Sequence, residues 1–175
     1  MVLLIVDVQK LITCDKLYNF ETFKANIKLL ISTAREKGME VVYVRHYDAP
    51  GCGDMSRDKE GFQIYDEFMP NPDEKIFDKD VNSAFKNSGL HEYLKSKDEK
   101  QLIIAGLMTD YCIDATIKCG FEHGFEIVVP EYSNSTFDNE YMTGEESYNY
   151  YNKFIWNNRY AKSVTINEAL ELMSK

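Results

Sequence analysis

The chain has 175 residues, 44% of them hydrophobic and 28% charged, with a formal net charge of −9. A length of this order forms one domain with a sizeable core and leaves no case for a disordered chain. The negative field, with Lys and Arg scattered rather than blocked, excludes nucleic acid as a partner, and no apolar run approaches a membrane span.

Val2 to Val6 is a short, near-continuous apolar run, the pattern of a strand buried on both faces. It lacks a basic leader and a small-residue cleavage site, so it reads as a strand and not as a signal peptide. A loop with Asp7, Gln9 and Cys14 follows. Phe20, Phe23, Ile27, Leu30, Ile31 and Ala34 then recur at three- and four-residue steps, which predicts an amphipathic helix over Asn19 to Lys37, ended by Gly38. VVYVRH, 41–46, is the second strand. Tyr47 to Asp73 is rich in Gly, Pro, Asp and Met without a period, and predicts a long loop with one short helical turn, of the kind that forms lids and binding loops.

The third strand lies around Lys75 to Phe77 within EKIFDK, and a helix near Leu90 to Lys97 follows. Gln101 to Ala105 is the fourth strand, and Thr109 to His123 a helix with Cys112, Ala115, Thr116 and Cys119 near one face. Phe125 to Val129 is the fifth strand, Glu145 to Trp156 a helix, Ala161 to Val164 the sixth strand, and Thr165 opens the last helix. Alternation of this kind predicts an α/β fold, a parallel sheet covered on both faces. No repeat or composition break divides residues 1–175, which read as a single domain.

Asp7, Lys79 and Cys112 close or closely follow strands one, three and four. Ligands and chemistry in open α/β sheets collect at those carboxyl ends, and an acid, an amine and a thiol form a nucleophilic set. Cys112 falls in the first turn of its helix, where free amides and the helix dipole favour a thiolate. Asp7 can take a thiol proton only if burial raises its affinity for that proton. Lys79 would hold the charged forms in place. Gly106, after the fourth strand, lets the chain turn sharply into the helix.

The cysteines at 14, 52, 112 and 119 form no CxxC pair and no zinc spacing. Reduced thiols in a cytoplasmic protein are the expectation, with Cys14, Cys52 and Cys119 as small buried hydrophobes. Gln9 and Tyr111 are candidates for the substrate pocket, with loop capping and aromatic packing as their ordinary alternatives. His46 reads as a surface or loop-bonded histidine.

Three separated motifs sharpen this set: VDVQ at 6–9, KDVNSAF at 79–85 and GLMTDYC at 106–112. Together they resemble the isochorismatase-like cysteine hydrolases, and IDATIKCGFEHGFEIVV continues the likeness toward the fifth strand. The resemblance implies a three-layer, Rossmann-like α/β/α fold with a six-stranded parallel sheet in the order 3-2-1-4-5-6. It implies a catalytic triad of Asp7, Lys79 and Cys112, with a thioester acyl-enzyme formed on the cysteine. It also implies a cis peptide at Leu107–Met108, an oxyanion hole from the amides of Met108 and Cys112, and a homodimer or homotetramer.

Departures from the family bear on substrate. Nicotinamidases of this family carry an Asp-x-His-x-His type metal set after the second strand, whereas this chain has His46, Tyr47 and Asp48 and no further histidine until His91. The expectation is therefore no metal and no cofactor. Isochorismatases that cleave a vinyl ether often lack the cysteine, which is present here. The sequence thus points to cleavage of a C–N bond in a small amide-like substrate. A vinyl ether hydrolase, a thiol-sensing protein and a non-catalytic small-molecule-binding member of the fold are the alternatives.

Overall fold

Five apolar residues buried side by side at the centre of a parallel sheet set the plan of the molecule. The computed structural model describes residues 1–49 and 53–174. Strand β1, Val2–Val6, is buried along its whole length and pairs in parallel with β2, Glu40–His46, on one side and β4, Gln101–Leu107, on the other. β3, Lys75–Lys79, extends the sheet beyond β2; β5, Glu126–Pro130, lies beyond β4.

Residues alternate across a strand, so β1 serves two cores. Leu3 and Ile5 face α1, Phe20–Glu36, through Phe23, Ile27, Leu30, Ile31 and Ala34. The same core takes Ala169 and Met173 from the C-terminal helix and the residue after it. Val2, Leu4 and Val6 face the other layer, where α2, Leu90–Ser96, gives Leu90 and Leu94, and α3, Asp114–Glu122, gives Ile117. The result is the expected α/β/α sandwich. Among the described residues no helix is long and apolar enough to cross a membrane.

The sheet runs β3-β2-β1-β4-β5-β7, all parallel, where β7 is Lys162–Val164. This is the anticipated 3-2-1-4-5-6 order, with one addition. A two-residue strand β6, Asn134–Ser135, pairs with Gly106 and Leu107 at the end of β4. Two polar residues carry no apolar period, so this strand is invisible to pattern reading.

Two anticipated helices prove composite. The segment after β4 begins as a π turn, Thr109–Ile113, before continuing as α3, and the Ile113 amide donates to Met108 O at 3.1 Å. The second, expected over Glu145 to Trp156, is α4, Gly144–Asn149, followed by a π segment, Tyr150–Trp156. Asn152 explains the change of winding: its buried amide donates to Tyr148 O at 2.9 Å and to Asn134 Oδ1 at 3.0 Å, inside the helical path. The last helix, α5, spans Ile166–Leu172 and starts from a capping box between Thr165 and Glu168.

The long connection between β2 and β3 has two short 3₁₀ turns, Glu60–Phe62 and Asp66–Phe68, where one helical turn was anticipated. Phe62, Ile64 and Phe68 are buried, and the segment is strapped to the stretch after β1 by Lys10 N–Gln63 O at 2.8 Å and Tyr65 N–Val8 O at 2.9 Å. The expectation for Cys52 falls outside the described residues.

Candidate active site

At the carboxyl end of the sheet, β1 and β4 are neighbours while the chain leaves them in opposite directions, which opens a crevice between their connections. Asp7 stands on one side of it, immediately after β1, and Cys112 on the other. Asp7 is in the left-handed region, φ 53°, with its amide still bonded to Val44 O at 2.9 Å. Close approach of the two strands depends on Gly106: a Cβ there would lie 2.0 Å from Val6 O, and its φ is 133°. The Leu107–Met108 peptide that follows is cis, as anticipated.

Lys79 comes from two strands away. It ends β3 opposite His46 of β2, and its stem crosses the end of β2 to reach Asp7. Its side chain is 0% exposed, and Nζ donates to Asp7 Oδ2 at 2.6 Å and to Cys112 Sγ at 3.3 Å. The three residues read as a set from sequence therefore meet around one ammonium group. Cys112 Sγ also lies 3.9 Å from Asn82 Oδ1, within the KDVNSAF motif.

Burial dominates the electrostatics. It raises the Asp7 carboxyl above its ordinary value, against the opposing pull of Lys79, of hydrogen bonds from Lys79 and Cys112, and of His46. Burial, then the Asp7 charge, pushes the Cys112 thiol up to about 12, with Lys79 pulling the other way. The sequence expectation of a thiolate favoured by a helix N-terminus is therefore corrected. The first turn is a π turn, and burial beside a carboxylate favours the neutral thiol.

Gln9 is also corrected. It is fully buried, and its amide grips main chain: Nε2 donates to His46 O at 2.8 Å and Phe62 O at 2.9 Å, while Oε1 accepts the His46 amide at 2.8 Å. It fixes the end of β2 and does not line the cleft. Tyr111 does line it, 51% exposed, beside Asp7, Leu11, Ile12, His46, Met55, Met108 and Cys112 in a cleft of about 300 Å³.

Sequence reading passed over His46. Held by Gln9, it turns Nδ1 toward Lys79 Nζ at 3.3 Å and Nε2 toward Asp48 at 3.9 Å. One signal was available: His46 ends a strand at the same sheet edge as the triad. Donor atoms of Asp7, His46 and Cys112 lie within 4.8 Å of one another, a set that a metal ion could use. Lys79 Nζ already contacts an atom of each, so an ammonium stands among these donors and a divalent ion would compete with it.

Behind Cys112 a buried polar chain braces the π turn. Thr109 Oγ1 donates to Asn134 Oδ1 at 2.7 Å, and Asn134 Nδ2 to Asn152 Oδ1 at 2.9 Å. The tiny strand β6 thus braces the turn that carries Cys112.

A model of the isochorismatase domain matches residues 1–147. The chain belongs to the isochorismatase family. It is 34% identical over 126 residues to an uncharacterized isochorismatase-family protein, YrdC, of Bacillus subtilis, covering 71% of this chain and 67% of that protein. A ureidoacrylate amidohydrolase of Cronobacter sakazakii is 25% identical over 124 residues, covering 55% of this chain and 53% of that protein. The chain thus spans about two thirds or less of the length of these curated relatives. Among solved structures, a cysteine hydrolase from Pseudomonas syringae superposes with a TM-score of 0.90 at 19% identity, covering 98% of this chain and 91% of that one, which shows a shared fold.

Proposed function

We propose that this isochorismatase-family chain is a cysteine hydrolase that cleaves the C–N bond of a small amide-like substrate. The observation that carries the reading is the convergence of Asp7 and Cys112 on Lys79, at 2.6 and 3.3 Å, on the wall of an open cleft. The likeness to an amidohydrolase supports the bond type.

With burial favouring the neutral thiol, attack and deprotonation go together. The Cys112 S–C bond forms to the substrate carbonyl carbon as the thiol proton passes to Asp7, whose raised proton affinity suits it as acceptor. Lys79 offsets the negative charge moving through the site. The amides of Met108 and Cys112 are the proposed donors to the developing oxyanion. Asp7 then returns its proton to the leaving nitrogen, the C–N bond breaks, and a thioester remains. Water attacks the thioester as Asp7 takes its proton; the S–C bond breaks, Asp7 returns that proton to the Cys112 sulfur, and the acid and the free thiol are released.

Intact-mass analysis after incubation with a panel of small primary amides and ureas tests this. The expected result is an acyl adduct on Cys112, absent in Cys112→Ala, with turnover lowered by roughly a thousandfold or more. Turnover of the amides that survives Cys112→Ala would overturn the thioester, and turnover of a vinyl ether that survives Cys112→Ala while Asp7→Ala abolishes it would instead establish vinyl-ether-type chemistry.

A further inference from the structure

Resting on that reading, the charge layout of the cleft defines which amides enter. The walls are apolar: Leu11, Ile12, Met55, Met108 and Tyr111, with Leu11 45% exposed and Tyr111 51% exposed at the rim, large hydrophobic surface facing solvent. Apart from His46, no lining residue among those described can carry positive charge. Lys79 is sealed behind Asp7 and paired with it. Two arginines near this end of the sheet, Arg45 and Arg57, share the carboxylate of Asp78, at 2.9 and 3.3 Å, and neither lines the cleft. Pro50, Gly51 and Cys52, outside the described residues, are uncharged by sequence.

The remaining charge in the lining is negative. Asp48, partly exposed, accepts the Met55 amide through Oδ2 at 3.1 Å, and its Oδ1 lies toward His46 at 3.9 Å. A carboxylate-bearing substrate would bring an anion into an apolar cleft that already holds the Asp48 charge and, among the described residues, has no lysine or arginine in its lining, an arrangement that rejects like charge. We infer that the site takes an uncharged amide with a compact apolar body and excludes amides that carry a carboxylate, Asp48 being the discriminating residue. The volume of about 300 Å³ sets the body at the small end of ligand pockets.

Alkylation of Cys112 reads this selection without needing a substrate. Iodoacetamide and iodoacetate differ in charge at similar size; their rates at Cys112, followed by mass mapping at about pH 8, are compared with their rates at glutathione. The expected preference for iodoacetamide at Cys112 exceeds that at glutathione by about tenfold or more, and Asp48→Asn shrinks it. A preference equal to that of glutathione, or one for iodoacetate, overturns the inference; a preference that Asp48→Asn leaves unchanged overturns the role of Asp48. In turnover, benzamide should outpace 4-carbamoylbenzoate in kcat/KM by a similar factor. If the carboxylate amide forms the Cys112 adduct faster, the charge selection fails and the hydrolase reading stands. If no amide or urea forms an adduct while the alkylation preference holds, the hydrolase reading fails and the charge selection stands.

Discussion

Two protonation states meet at a buried ammonium, and both are set by burial before anything else. Burial raises the Asp7 carboxyl above the ordinary carboxylate value, and in the proposed mechanism it must be unprotonated to accept the thiol proton. The acidic limb of kcat/KM is therefore expected at a pH above the ordinary Asp range of about 4; a limb at or below that range contradicts the assignment. Cys112 works in the other direction. The folded thiol keeps its proton up to about 12, whereas in the unfolded chain it loses it near the ordinary value of 9.0. The native state binds the extra proton across that interval, so stability falls as pH rises through it. Urea midpoints at neutral pH and at about pH 10 should diverge less for Cys112→Ser than for wild type. Gln9 gives a third residue-scale outcome. Gln9→Ala leaves buried main-chain groups of His46 and Phe62 unpaired and should cost about 2–3 kcal/mol, read from the urea midpoint.

At the scale of elements, what the sequence disclosed followed the strength of the local period. β1, β2 and α1 are long or strongly patterned, and their bounds agree to within a residue or two. The two π segments were hidden because a helix period survives one widened turn, and because the residues that widen it, Asn134 and Asn152, pair across 18 positions. The triad was legible as a set through three motifs, but the depth of its burial was not. Nothing in DEKIFDKD marks Lys79 as the one lysine sealed from solvent while its neighbours Lys75 and Ile76 are exposed. Gln9 misled for a related reason: a polar residue near a site looks like a ligand-binding group until its main-chain partners are known. The β1–β4 contact carries its own test. Gly106→Ala places a methyl group against Val6 O in a backbone conformation that L side chains rarely adopt, so both stability and turnover should drop, the former by more than 1 kcal/mol, roughly, in urea denaturation.

Across the whole molecule, the parts of the site differ in how firmly they are held. Asp7 and Cys112 issue from β1 and β4, each paired on both sides at the centre of the sheet. Lys79 issues from β3, an edge strand with a single partner in which Lys79 alone is fully buried, and crosses β2 to reach them. Edge elements are drawn from the low end of local stability. The ammonium is thus tethered to a part of the protein that can open while the core stays shut. Partial loosening of one outer strand would withdraw a charge from the reaction centre, a failure separate from global unfolding. Activity measured against urea concentration should then fall before the circular-dichroism signal does, and amide hydrogens of β3 should exchange faster than those of β1. Coincident curves would mean that the outer strand and the centre open as one unit.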